Sequence, residues 1–228
     1  MKTPTDLSIT EELLLLSLDD EKGKLVSFDS TVLSFTLAGA VLFELMLLGK
    51  IEIKEENIVA WPTEPMEDHV LDLAIVRFAK SNKVKMLSYW VGQLAKDYNK
   101  IKNILLEKLV TMGALKKEEH TFLWAFNYNR YPTDNARIED LVRIRVRESL
   151  FSDEEIDTRD FVLLCLIGAS KLEAEVFGKD DAKEARRLIN YLKGNDAIGT
   201  AITKAIIDFE AALTVAIFAA VIIPTVTS

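Results

Sequence analysis

One cysteine in 228 residues, Cys165, leaves no partner for an intramolecular disulfide and no framework for a multi-cysteine metal site, so a reducing compartment is expected. Histidine is nearly as scarce. His69 follows Glu67 and Asp68 at a helix start and His120 sits beside a strand pair, so both are read as surface residues rather than bases or ligands. There is no glycine-rich phosphate loop and no G-x-S-x-G elbow. Without an activated nucleophile, a metal cluster or a cofactor loop, the sequence predicts no enzyme and no cofactor. Basic residues are also in deficit, 28 against 36 acidic ones, for a net charge of −8. Nucleic-acid binding needs a dominant basic surface to neutralise phosphates, so no nucleic-acid partner is expected and any anion site must be a local patch.

The most apolar segment, Ala211 to Ile223, falls short of the ~20 residues that span a bilayer, and its alanines suit close packing in a core helix. Met1 to Ser8 does not show basic residues followed by an apolar stretch, as a secretory signal requires, so a cytoplasmic protein is expected. No polar, low-complexity linker interrupts the chain, which predicts a single domain over 1–228. With 49% hydrophobic and 28% charged residues, it can build a large core and remain soluble.

What is present reads mainly as helix. Ser8 and Glu11 form a capping-box signature ahead of Leu13 to Leu16. Asp19 to Gly23 is turn chemistry without calcium-loop spacing. From Thr31 to Leu48 apolar residues are too dense for one face, predicting a helix buried on most sides, with Gly49 at its C-terminal cap. Lys50 to Lys54 alternates charged and apolar residues, which predicts a short strand. Trp61, Pro62 and Pro65 mark a loop. Helical spacing resumes through Leu71, Ile75 and Phe78, then Leu87, Trp90, Val91 and Leu94, then Ile101, Ile104, Leu105, Leu109 and Met112 up to Gly113.

Between Leu115 and Tyr131 the character changes. Phe122 to Phe126 are strand formers and Asn127 to Arg130 supply turn residues, which predicts a β-hairpin. Pro132 to Asn135 restart a helix bearing Ile138, Leu141, Val142 and Val146, and Ser152 with Glu155 reads as a second capping box ahead of Phe161 to Ile167. Two further helices lie near Asp181 to Leu192 and Thr200 to Ile222. The expected fold is mainly α: a compact bundle of about ten helices with a protruding aromatic β-hairpin and a short strand near residues 50–54.

The acid pairs Glu11 with Glu12 and Asp180 with Asp181 stand at helix starts, where the helix dipole favours them. Two basic groups stand out: Lys96, Lys100 and Lys102, and Arg143, Arg145 and Arg147. A solvated face is the default for both. Glu139, four residues ahead of Arg143, can pair with it along the helix, and the lysine group is the better anion site. The aromatic run Phe122, Trp124, Phe126, Tyr128 and Tyr131 admits three readings: core strand, dimer contact or membrane-inserting tip. Alternation puts Phe122, Trp124 and Phe126 on one face and Leu123 and Ala125 on the other.

In this order the segments resemble the Golgi phosphoprotein 3 family. The similarity runs from Leu7-Ser8-Ile9-Thr10-Glu11-Glu12-Leu13-Leu14-Leu15-Leu16 through Leu37-Ala38-Gly39-Ala40-Val41-Leu42-Phe43-Glu44-Leu45 and Gly49-Lys50-Ile51-Glu52-Ile53. It continues in Leu109-Val110-Thr111-Met112-Gly113-Ala114-Leu115 and in Leu163 to Phe177. The resemblance implies a peripheral membrane adaptor that recognises phosphatidylinositol 4-phosphate, a hairpin used for membrane contact or self-association, and a basic headgroup pocket. The hairpin carries over onto Phe122, Leu123, Trp124 and Phe126. The pocket departs from the family pattern: Asp29 follows Ser27-Phe28 where eukaryotic members have a tryptophan, and Ala38 replaces an arginine. Two further arginines match Asn99 and Lys102, with Lys100 nearby, and lysine offers only a point charge in place of arginine's planar fork. The headgroup candidates are therefore Asn99, Lys100 and Lys102. The pattern suits a divergent member such as a prokaryotic one; a eukaryotic member would sit on the cytosolic face of the Golgi. Two readings stay open: an adaptor that binds a phosphoinositide or another anionic phospholipid at a membrane surface, and a soluble homo-oligomeric interaction module that binds no lipid.

Overall fold

Eighteen apolar-rich residues, Ser30–Leu47 (α2), form the axis of the fold in this computed structural model. The structure describes residues 7–19, 22–26, 30–81, 83–122, 126–194, 207–209 and 211–216, with backbone only for 120–122 and 126–128. By length and mean hydropathy (1.8) α2 could cross a membrane. Here it is the central core helix, because α1 (Ile9–Leu15), α3 (His69–Ser81), α4 (Leu87–Ala95), α5 (Tyr98–Thr111) and α7 (Thr158–Ser170) all pack against it. The dense apolar pattern has no polar face to give to water, which is why neighbours surround it. Around this axis stand α6 (Ala136–Phe151), α8 (Glu173–Phe177) and α9 (Ala182–Gly194), and 207–209 and 211–216 are helical as well. The mainly helical architecture with small antiparallel strand pairs agrees with expectation.

Local signals set several ends as read. Ser8 and Glu11 form the reciprocal capping box of α1, and Gly49 and Gly113 adopt φ of +63° and +75° just beyond α2 and α5. Gly39 is a packing glycine. A Cβ there would lie 2.2 Å from Cζ of Phe209, whose ring packs tilted against Phe43 at 4.1 Å between centroids. The missing methyl is what lets residue 209 dock onto α2.

Other expectations change. The strand near residues 50–54 is β1 (Glu52–Lys54), and it pairs with β2 (Asn57–Ala60), which in turn pairs with β3 (Lys85–Met86). Such short strands give little periodicity to read. Ser152 does not cap α7; it closes α6, and Asp157 caps α7 by accepting from the Arg159 N–H. The hairpin exists, but its strands are β4 (Glu118–Phe122) and β5 (Phe126–Arg130), paired from Glu118↔Arg130 to Phe122↔Phe126. Asn127 to Arg130, expected in the turn, are therefore strand, held by the ladder in spite of weak propensity. Phe122 and Phe126 oppose each other across the strands. Leu123, Trp124 and Ala125 lie outside the described residues, as does most of the segment 200–222.

Candidate functional site

Where the hairpin stem meets α1 and α5, a cavity of about 340 Å³ opens, lined by Leu14, Leu18, Gly23, Lys24, Leu25, Lys102, Asn103, Leu106, Asn129 and Tyr131. One wall is the loop after α1. A bridge between Leu18 and Leu25 and the Asp19 N–H donating to the Lys24 carbonyl (2.8 Å) fold that loop back on itself. It docks on the stem through the Tyr131 N–H, which donates to the Gly23 carbonyl at 3.0 Å. Gly23 has φ +56°, and a Cβ there would fall 2.2 Å from the Pro132 nitrogen. Only glycine supplies both that backbone conformation and that closeness.

The opposite wall is α5. Successive turns put Lys102, Asn103 and Leu106 on the cavity side, and Nζ of Lys102 lies 5.2 Å from the centroid of the Tyr98 ring. The cavity thus offers two ammonium groups, two side-chain amides and a phenol hydroxyl. None of its described lining residues is a carboxylate. In an acidic chain this is a local place for an anion, and the volume suits a small headgroup.

Of the three headgroup candidates only Lys102 reaches this cavity. Asn99 is exposed one helical turn ahead of Asn103. Lys100 projects from the outer side of α5, because two residues turn the chain about 200° around a helix; its electrostatic neighbour is Asp97. Ala38, where the family pattern carries an arginine, is fully buried in the core, and Asp29 lies outside the described residues. Lys24 and Gly23 were missed from sequence: the loop looked like a plain turn, and nothing local shows that it folds against residues 129–131. The hairpin candidates Phe122 and Phe126 are placed by backbone pairing, and Leu123 and Trp124 lie outside the described residues.

A second cavity, about 420 Å³, has a different character, with Glu11, Glu44, Asp68, Lys108 and Arg159 among its lining residues. Lys108 Nζ lies 2.6 Å from Glu11 and 2.9 Å from Asp68. Arg159 pairs with Glu12 at 3.2 Å and lies 3.8 Å from Glu44, whose carboxylate accepts from the Ile9 N–H at 2.7 Å. Glu12 also accepts from Arg145 at 2.8 Å, and Arg145 reaches Asp160 at 3.2 Å. Burial pushes the Glu12 and Glu44 carboxyls above their ordinary value in spite of these cations. Around Asp68, the Lys108 ammonium and the Leu71 and Val70 N–H groups outweigh burial and hold the carboxyl below its ordinary value. With three carboxylates against two cations, this cavity opposes an anion and ties α1 to its neighbours instead.

The arginine group on α6 is likewise taken up in ion pairs, with Arg147 still exposed. Arg143 pairs with Glu139 and Glu175, Arg145 with Glu12 and Asp160, and Arg147 with Asp181. His69 is the exposed first residue of α3.

Comparison with known proteins gives a consistent pattern. The model of the family described as Golgi phosphoprotein 3 (GPP34) matches residues 9–208. Among curated proteins, the chain is 25% identical over 166 residues to vacuolar protein sorting-associated protein 74 of Schizosaccharomyces pombe. That match takes in 64% of this chain and 49% of the relative, so the chain spans about half the relative's length.

Proposed function

The chain belongs to the Golgi phosphoprotein 3 family, and from that premise we propose that it is a non-enzymatic, peripheral membrane adaptor that takes an anionic lipid headgroup. The headgroup is of the phosphatidylinositol 4-phosphate kind, and the membrane is reached from the cytoplasmic side. One observation carries this reading: Lys102, across from Lys24, lines a cavity beside the hairpin stem whose described lining residues include no carboxylate, in a chain of net charge −8. Two point charges and the Asn103 and Asn129 amides suit a phosphomonoester, though with less geometric selection than arginine forks give. The hairpin residues Phe122, Leu123, Trp124 and Phe126 supply the second anchoring signal that a single headgroup contact needs, by insertion or by pairing two copies.

Co-sedimentation with phosphatidylcholine vesicles, with and without phosphatidylinositol 4-phosphate, tests the proposal. The expected result is selective binding that falls about 10- to 100-fold in Lys102→Ala, the loss of one charged hydrogen bond, while Lys100→Ala keeps the selectivity. Unchanged selectivity in Lys102→Ala would remove the cavity from the reading. No binding to any vesicle, together with an oligomer that Phe126→Asp converts to monomer, would favour the lipid-free interaction module.

A further inference from the structure

Charge is segregated along this chain. Between Arg77 and Lys102 stand seven lysines and arginines and one carboxylate, Asp97, although acidic residues exceed basic ones overall. The fold gathers that stretch at one corner, made by the end of α3, the edge strand β3 and the junction of α4 with α5. Arg77 Nε donates to Asp97 at 2.7 Å. That bond, with the nearby charges of Arg77, Lys100 and Lys80, holds the Asp97 carboxyl below its ordinary value against partial burial. Arg77 is in turn within electrostatic reach of Tyr89, and Lys85 Nζ sits 5.3 Å from the centroid of the Tyr89 ring. Arg77, Lys80, Lys85 and Lys100 are thus neighbours in space as well as in sequence.

Apolar side chains are exposed in the same corner: Val76 49%, Val84 54%, Met86 50% and Tyr89 40%. A solvated lysine face has no use for them. Single exposed apolar residues are ordinary, but four of them around a run of cations form a mixed surface. Lysines beside aliphatic and aromatic side chains suit a bilayer boundary, where ammonium groups meet phosphates and apolar tips enter below them.

We propose that this corner is a second membrane-docking surface, in which Lys80, Lys83, Lys85 and Lys96 meet an anionic bilayer and Val84, Met86 and Tyr89 enter its interface. The partner is the charged lipid surface itself and not one headgroup. The inference rests on the chain working at a membrane, but not on the headgroup cavity, since Lys100 on this side and Lys102 on the cavity side leave α5 in different directions.

The test uses the full chain and phosphatidylcholine vesicles in which phosphatidylserine is the one anionic lipid, at low and physiological salt. The chain should bind at low salt and weaken as the screening length shrinks from about 30 Å to about 8 Å. Lys80→Glu, Lys83→Glu and Lys96→Glu together should lower binding at least about 100-fold, at about fivefold per lysine removed and more for reversal. All three side chains are exposed, so an unchanged urea midpoint is expected to accompany the loss. Val84→Ser with Met86→Ser should weaken the same binding. Wild-type binding in the triple variant, or no binding of the wild type to phosphatidylserine vesicles, overturns the proposal. A triple variant that loses phosphatidylserine binding while Lys102→Ala leaves phosphoinositide binding untouched upholds this surface and sinks the cavity reading.

Discussion

Gly23 and Gly49 share a left-handed backbone, with φ of +56° and +63°, but not a neighbourhood. Around Gly49 an added Cβ meets nothing within 4 Å, so Gly49→Ala should cost only the conformational penalty, about 1 kcal/mol. At Gly23 the same methyl would stand 2.2 Å from the Pro132 nitrogen, and 2.3 Å and 2.4 Å from the Tyr131 carbonyl carbon and nitrogen. These are backbone atoms, which cannot rotate aside. The loop must then leave the hairpin stem, giving up the Tyr131 N–H bond to the Gly23 carbonyl, about 1 kcal/mol. Part of the burial of Leu18 and Leu25 goes with it, about 1–3 kcal/mol. Gly23→Ala should therefore lower the unfolding free energy by about 3–5 kcal/mol, measured by urea denaturation, against about 1 for Gly49→Ala. Because the cavity wall departs with the loop, the Gly23 variant should also lose phosphoinositide binding while the Gly49 variant keeps it. Equal losses of stability in the two variants would refute the claim that contact with residues 131 and 132, and not φ alone, fixes this glycine.

Two further substitutions have signs that the packing decides. In an open helix Gly39→Ala should stabilise by about 1 kcal/mol, but with Phe209 Cζ 2.2 Å from the new methyl it should destabilise by about 1–2 kcal/mol, and the sign should reverse in a Phe209→Leu background. Arg159→Ala strips a cation from the buried carboxylates of Glu12 and Glu44 and should cost about 3 kcal/mol at neutral pH. Both carboxyls already lie above their ordinary value, so the folded state binds their protons more tightly than the unfolded chain. Stability from these two groups therefore falls as pH rises from the unfolded to the folded pKa, and the variant, with both pushed higher, should recover part of its loss near pH 5. Urea midpoints at the two pH values that differ by the same amount from wild type would contradict this.

The sequence by itself determined the helical class, the central helix and its glycine cap, the capping box at Ser8, the existence of the hairpin and Lys102 as a headgroup candidate. These depend on contacts within a few residues or on a repeating apolar pattern, and both are written along the chain. Tertiary structure alone decided which charges meet. Glu11 and Glu12 looked like residues placed for the helix dipole, yet they are buried partners of Lys108, Arg145 and Arg159, nearly a hundred or more positions away. Lys24 and Gly23 became cavity residues only when a loop closed on the hairpin stem, and Lys80 joined Lys100 around Asp97 only when α3 and α5 came together. Coulomb attraction and steric closeness depend on distance in space, and an isolated stretch of sequence carries no measure of that distance.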